Sequence, residues 1–481
     1  MSFLIQYPYL KTIHSLAKKR KVFIYLVGGF WRDYLLNRSC MDFDFAVERD
    51  AIKLARQFCK TIKGAFVLLD EGHGCGRVVK KSNGHNLTFD FADFRAPTLR
   101  QDLAHRDFTI NALAASLDHL LKNDNIGKIL IDPKGGRGDL AAKILRMVSR
   151  RSLKEDPLRL LRAFSLRAQL GFHIERNTLS EIKKRSDLLS TVSVERVREE
   201  FFKILSSIRT AVVLKEMDRL GFLEKVIPQI TVMYNVKQGG YHHLDVWPHS
   251  LEIVLQLEKV YEEQKGNADI NSYLDEEIGG GHTRRALLKL GALLHDIGKP
   301  QTKKKENGRT SFHGHEHVGK NIVKGVAKLL KLSIAERRAL EDMVRWHLRP
   351  GYLSNFKSPS ERSIFRYFRD AKEEAAGILL LSLADQRSTR GPLTTEEDQR
   401  HHEKICLSLA DRYFEKKKEK PLARLITGHD LIKKLKLEPS PLFAKILREV
   451  EEAQALGKIK TKEEALELAM RISDTKSQVK I

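Results

Sequence analysis

Two carboxylates two positions apart, Asp42 and Asp44, follow closely on a glycine pair, Gly28-Gly29. The residues before the glycines, Val22-Phe23-Ile24-Tyr25-Leu26-Val27, are β-branched, aromatic and aliphatic, and predict a strand. Phe30 to Leu36 then has helical apolar spacing and carries Arg32 and Asp33. A strand, a glycine turn and a helix N-terminus make a place for phosphate, because free N–H groups and the helix dipole attract anions. In the next strand Asp42 and Asp44 point the same way, since alternate strand residues share a face. Two carboxylates on one rigid face beside a phosphate cradle are the hard oxygen ligands that Mg²⁺ prefers.

Two further stretches carry polar groups at useful spacing. In His105-Arg106-Asp107-Phe108-Thr109-Ile110-Asn111-Ala112-Leu113, the polar Asp107 precedes apolar residues, so a helix is predicted to begin near it. Arg106 is placed to meet triphosphate or base, and Asn111 a ribose hydroxyl. In Glu155-Asp156-Pro157-Leu158-Arg159-Leu160-Leu161-Arg162, Asp156 and Arg159 lie three apart, on one predicted helix face. Their plain reading is an intrahelical ion pair; their chemical reading is a match for the polar edge of cytosine or adenine. Arg162 closes the stretch and joins the nucleotide-binding candidates.

These motifs in this order resemble the CCA-adding tRNA nucleotidyltransferases and the related bacterial poly(A) polymerases. The stretch from His105 matches that family's R-R-D-F-T-I-N-A motif, departing only at His105, so Arg106, Asp107 and Asn111 carry over. Asp156 and Arg159 match its E-D-x-x-R motif, and the resemblance implies that they select CTP and ATP without a nucleic-acid template. Ser193-Val194-Glu195-Arg196 matches an S-x-E-R element implied to support the neck, and Asp132 to Leu140 a hinge with a helix from Asp139. The implied fold is a five-stranded head followed by a helical neck. The implied reaction is attack of a tRNA 3′-hydroxyl on the α-phosphate of CTP or ATP, with Mg²⁺ on Asp42 and Asp44.

The second half concentrates histidine. His295-Asp296 lies in the apolar Leu293-Leu294-His295-Asp296-Ile297-Gly298-Lys299, where an imidazole and a carboxylate are hard to bury without a cation. The pair resembles the HD phosphohydrolase signature, with His249 and Asp385 as flanking ligands and His315 and His347 as the extra ligands of two-metal members. Such a ligand set suits Ni²⁺, Mn²⁺, Co²⁺, Zn²⁺ or Fe rather than Mg²⁺ alone. The implied chemistry is hydrolysis of phosphomonoesters, 2′,3′-cyclic phosphates or phosphodiesters at RNA ends.

The elements that must position these groups form an α+β chain. Residues 1–145 read as a mixed-sheet α/β head, with strands at Phe66–Leu69, Arg77–Val79 and Leu87–Phe94 and a helix from Ala51 to Lys60. Residues 146–230 read as an all-α neck, including a helix from Leu158 stopped by Gly171 and another over Val194–Leu205. Residues 231–400 read as an HD domain in which polar, glycine-rich Asn267–Thr283 is an exposed loop. Residues 401–481 read as a helical tail with solvated charge runs.

At 481 residues with 42% hydrophobic content, the chain suffices for several domains. A net charge of +24 suggests a polyanionic partner such as nucleic acid, or alternatively a densely charged thermophilic-type surface. Aromatic residues are 7%, so a stacking platform for single-stranded RNA is not evident. Four scattered cysteines without a CxxC pair and the lack of a signal-like or membrane-spanning apolar run suggest a cytoplasmic protein. The reading is a tRNA nucleotidyltransferase with an HD domain, taking tRNA, CTP and ATP. Alternatives are a poly(A) polymerase on the same scaffold, an RNA-binding protein with a regulatory HD region, and a partial enzyme that adds only cytidines. The last rests on the short segment Arg95–Arg100 before Asp102, where full CCA-adding relatives are expected to hold a flexible loop.

Overall fold

The structure, a computed structural model, describes residues 7–82, 84–122, 125–239, 243–306, 309–391, 394–420 and 422–477. The chain divides into two compact units, residues 1–204 with 216–226, and residues 205–215 with 227–481.

The first unit is built on a mixed sheet of strands β1 (Ile24–Val27), β2 (Asp42–Val47), β3 (Ala65–Asp70), β4 (Cys75–Ser82), β5 (His85–Asp93) and β6 (Ala114–Ser116), in the order β3-β4-β5-β2-β1-β6. Its central pair, β2 and β5, runs parallel; the other pairs are antiparallel. Alternation decides what each face of that pair does. Phe43 stacks on Phe89 at 5.0 Å between ring centroids, and Phe45 on Phe91 at 4.9 Å. All four rings are buried, beneath the helices Tyr9–Arg20 and Ala51–Ile62, whose Tyr9 and Phe58 meet Phe89 edge-on. Each buried ring contributes roughly 1.5–3 kcal/mol by leaving water. The intervening residues, Asp42, Asp44 and Asp90, are thereby committed to the opposite face.

Two expectations are corrected here. The sheet has six strands, not five. The stretch after Asp107 forms a single 3₁₀ turn, Thr109–Asn111, rather than a helix. The chain then extends into β6, because the outer edge of β1 offers backbone partners and Ala114 and Ala115 are small enough to pack there. The turn is also held from outside: Thr109 N–H donates to Arg146 O and Val148 N–H to Asp107 O.

Beyond the sheet the first unit is helical. Leu158–Leu170 ends at Gly171, whose φ of +72° makes the left-handed C-cap. The helix expected from Asp139 begins three residues earlier, Gly136–Ala141, because the Asp132 carboxylate accepts the Gly136 and Arg137 N–H groups.

The second unit packs helices around the helix Ala375–Ser388, whose first seven residues, Ala375 to Leu381, are all apolar and buried. The segment Asn267–Thr283, expected as a loop, contains the helix Ala268–Asp275. Asn267 caps it, and its buried Ile270, Tyr273 and Leu274 recur at helical spacing. The last three helices, Gly428–Leu435, Pro441–Ala455 and Lys462–Ser477, share a small core of Leu431, Ile446, Val450, Ala465 and Ala469.

Candidate functional sites

The carboxylate face of the β2–β5 pair is the floor of the first site. Asp44 and Asp90 are register partners on adjacent parallel strands. Burial drives the Asp44 carboxyl upward, and Asp90 and Asp42 add to the rise against the opposing pull of Arg106 and Arg162. A carboxyl held up in this way among neighbouring carboxylates is the environment that a divalent cation relieves, so the donor set fits a hard metal ion. Asp90 is fixed by a bidentate Arg77, at 2.7 Å for both contacts. The Asp42-Phe43-Asp44-Phe45 alternation repeats at Phe89-Asp90-Phe91, the signal that could have singled out Asp90.

Gly28 opens the helix Gly29–Leu35 with φ +79°, and a Cβ there would stand 2.7 Å from Asp44 Oδ2. Only glycine lets the backbone pass so close to the carboxylate. Gly28 spends its own N–H on Leu113 O, which ties the turn to the motif after His105.

A continuous polar network joins that short helix to the neck. Arg32 grips Asp33 through two contacts and donates to Asn111 Oδ1 at 2.9 Å. The Asn111 amide donates to both Asp107 oxygens, and Arg162 Nε lies 2.7 Å from Asp107 Oδ2. Burial opposes the Asp107 charge, but Arg162, the Phe108 N–H and Asn111 outweigh it and hold the carboxyl below the usual range. The network surrounds a cavity of about 170 Å³ lined by Gly28, Gly29, Asp44, Arg106, Asp107, Asn111, Asp156, Arg159 and Arg162. Ten nucleotide-binding candidates and two metal candidates were read from sequence. Nine of these twelve line this cavity, Arg32 and Asp33 buttress it through Asn111, and Asp42 lies on the same sheet face.

Asp156 and Arg159 do not share a helix face. Asp156 precedes Pro157, outside the helix that starts at Leu158. Its two oxygens take Arg196 Nη2 at 3.1 and 2.9 Å, while Arg159 donates to Ser152 O. The intrahelical ion pair therefore gives way to separate anchors, which leave both side chains at the cavity wall. Arg95 and Arg196 also line the cavity, and sequence spacing missed them there because each arrives from a distant segment.

In the second unit, six residues read from sequence come together from five helical segments. His295 and Asp296 follow the helix Arg284–Leu294, His315 opens His315–Leu329 and His347 closes Ile334–Trp346. His249 Nε2 meets Asp385 Oδ1 at 3.0 Å, His295 Nε2 meets Asp296 Oδ2 at 3.0 Å, and His315 Nε2 lies 3.2 Å from Asp296 Oδ1. His249, His295 and Asp385 form one cluster with metal-ligand geometry, and His295, Asp296 and His347 another. In His295, His315 and His347 the Nδ1 atom sits 2.7–2.9 Å from the carbonyl three residues earlier. A carbonyl only accepts, so each Nδ1 carries a proton, which makes Nε2 the inward ligand atom of the neutral ring. The Nε2 atoms of His315 and His347 are 3.1 Å apart. Two lone pairs at that distance call for a shared cation, and a mixed imidazole–carboxylate set fits a divalent metal.

Burial, with His295 and His315 alongside, drives His347 down to about 3, so it stands neutral, as a ligand must. Burial would raise Asp296, but His295 and Lys299 outweigh it and hold it well below the usual range. Lys299 Nζ reaches Asp296 Oδ2 at 2.6 Å and was missed from sequence, although it stands three residues after the aspartate. Gly298 is required: a Cβ there would fall 2.1 Å from His315 O.

A carboxylate-floored nucleotide cavity and a histidine–aspartate metal cluster together define a nucleotidyltransferase joined to an HD domain. Family comparison agrees along the chain: residues 24–146 match the Poly A polymerase head domain, residues 171–233 the probable RNA and SrmB-binding site of polymerase A, residues 246–416 the HD domain and residues 405–469 the putative tRNA nucleotidyltransferase domain 2. An A-adding tRNA nucleotidyltransferase of Deinococcus radiodurans is 32% identical over 93% of this chain and 94% of its own. A CC-adding tRNA nucleotidyltransferase of Thermus thermophilus is 30% identical over 91% of each. The solved CCA-adding enzyme of Thermotoga maritima, complexed with tRNA, shares the fold with a TM-score of 0.59 at 21% identity, over 98% of this chain and 96% of that one. The chain belongs to the tRNA nucleotidyltransferase family. Divalent-metal dependence follows from both of its domain types. Among the described residues, no helix is long and apolar enough to cross a membrane.

Proposed function

We propose that this protein adds cytidines to the 3′ end of tRNA from CTP and stops before the terminal adenosine. The observation that carries this reading is the connection from β5 to the motif at His105. Only five residues separate Asp93 from the helix Leu99–Ala104. That helix is capped by Thr98, and its buried Asp102 accepts the Arg95 N–H, so the connection is anchored at both ends. A connection this short and this tethered does not reach across the pocket to reshape it for a second base.

In this reading Asp156 accepts the cytosine amino group and Arg159 donates to the ring nitrogen and carbonyl. Arg106 and Arg162 meet the triphosphate, and Asn111 the ribose. Asp42 and Asp44 hold Mg²⁺, which neutralises charge on the reacting phosphate. The HD cluster binds a transition metal such as Ni²⁺, Mn²⁺, Co²⁺ or Zn²⁺ and hydrolyses phosphate esters at RNA ends. Such work belongs in the cytoplasm, where tRNA matures. A second reading, addition of the adenosine alone, is favoured by the Deinococcus relative.

The test supplies the purified protein with tRNA lacking its terminal nucleotides, then with tRNA ending in two cytidines, each with CTP and ATP together. Two additions to the first substrate and none to the second are expected. Addition of one adenosine to the second substrate alone establishes the other reading. Completion to CCA by this protein overturns both.

A further inference from the structure

Two large aromatic side chains stand in solvent beside the HD cluster. Tyr352 is 58% exposed and Phe356 62%. Tyr352 belongs to the helix Arg349–Ser354, and Phe356 lies two residues beyond it. Both line a shallow cavity of about 330 Å³ together with Arg349, Arg362 and Arg366. Phe356 also lines a larger cavity of about 960 Å³, whose wall includes His347 and Asp385 of the metal cluster. One aromatic ring thus stands on the rim that the two cavities share. Its backbone is pinned there, because His401 Nε2 lies 3.0 Å from Phe356 O.

We propose that Tyr352 and Phe356 form a stacking platform that receives the unpaired 3′ end of RNA and leads its terminal phosphate toward the HD cluster. The proposal rests on the reading of that cluster as acting on RNA ends. Nucleobases of any sequence stack on exposed aromatic rings, while cations alongside follow the phosphates. The charge fits. Arg349, Arg362 and Arg366 line the shallow cavity, and among the described residues its lining holds no carboxylate, their partners Asp370, Glu449 and Glu452 standing outside that lining. Glu397 and Asp398 line the larger cavity, so the positive side lies along the aromatic pair and points a phosphate chain along it. A base-paired end has its faces covered, so the ligand is single-stranded. A mononucleotide spans one ring at most, so two or more terminal nucleotides engage the platform fully.

The test uses the full-length protein and a six-nucleotide RNA ending in a 2′,3′-cyclic phosphate, with 4-thiouridine at its last three positions. After near-ultraviolet irradiation, mass spectrometry locates the crosslinks. They are expected on the peptide that carries Tyr352 and Phe356. Tyr352→Ala and Phe356→Ala each raise the RNA concentration needed for half-maximal crosslinking about tenfold. The shift is smaller for a mononucleotide, and thermal melting verifies the fold of each variant. Crosslinks confined to other peptides, or an unchanged concentration dependence in both variants, overturn the platform and leave this face to a polypeptide partner. Wild-type protein that hydrolyses no phosphoester with Ni²⁺, Mn²⁺, Co²⁺ or Zn²⁺ removes the hydrolase reading instead, and the crosslink map still decides the platform.

Discussion

Asp107→Asn keeps the shape of the side chain at the junction of the polar network and removes its charge. Asp107 is 9% exposed and serves Arg162, Asn111 and the Phe108 N–H together. Breaking a buried ion pair from one side costs ~3–5 kcal/mol. Here the Arg162 side chain keeps 40% exposure and can rehydrate. The asparagine also retains an acceptor for Phe108. The expected loss is therefore about 2 kcal/mol. For a unit of roughly 200 residues this lowers the melting temperature by ~4–8 °C. Calorimetry of the full chain reads it as a shift in the transition that contains the head. The pH dependence fixes the cause. The native Asp107 carboxyl is held below its usual range, so its stabilisation is complete above about pH 4 and fades as pH falls through the lowered native value. The gap between wild type and variant should stay constant from pH 7 to about 4 and narrow below that. An unchanged melting temperature, or a gap that widens on acidification, refutes the network as a stabilising device. Because Asn111 and Arg32 depend on the same carboxylate, KM for CTP should rise in the variant as well.

Asp156→Ala or Arg159→Ala should relax discrimination among CTP, ATP, UTP and GTP more than it slows transfer; equal losses with every nucleotide make the pair structural. Arg196→Ala frees the Asp156 carboxylate and should weaken selectivity in the same direction with a smaller effect on kcat, read from kcat/KM for each nucleotide. His295→Ala or Asp296→Ala should abolish metal-stimulated phosphoesterase activity while nucleotide addition continues, and joint loss of both activities contradicts two separate sites.

Much of the first site was legible because its signals are local. The alternation in Asp42-Phe43-Asp44-Phe45 assigns carboxylates to one face and rings to the other, and β2 places them so. Gly171 ended its helix as its position suggested. What escaped depends on partners distant in sequence. Nothing near Ala114 announces that the edge of β1 awaits it, so the local pattern after Asp107 favoured a helix. The Asp156–Arg159 spacing suggested a pair, but Arg196, forty residues on, takes the carboxylate. Asn267–Thr283 reads as a loop by composition, yet three apolar residues suffice to seat a helix on the core. The low aromatic content concealed Tyr352 and Phe356, since exposure rather than number gives an aromatic residue a binding role.

The central claim is that the carboxylates of β2 carry the metal-dependent transfer. Single-turnover addition of labelled CTP to truncated tRNA, measured for Asp42→Ala and Asp44→Ala with tRNA affinity in parallel, tests it most directly. The account predicts loss of transfer by a factor of at least ~10³, about 4 kcal/mol of transition-state stabilisation, with tRNA affinity nearly unchanged. Substantial transfer by either variant contradicts the assignment and places the reaction on other residues.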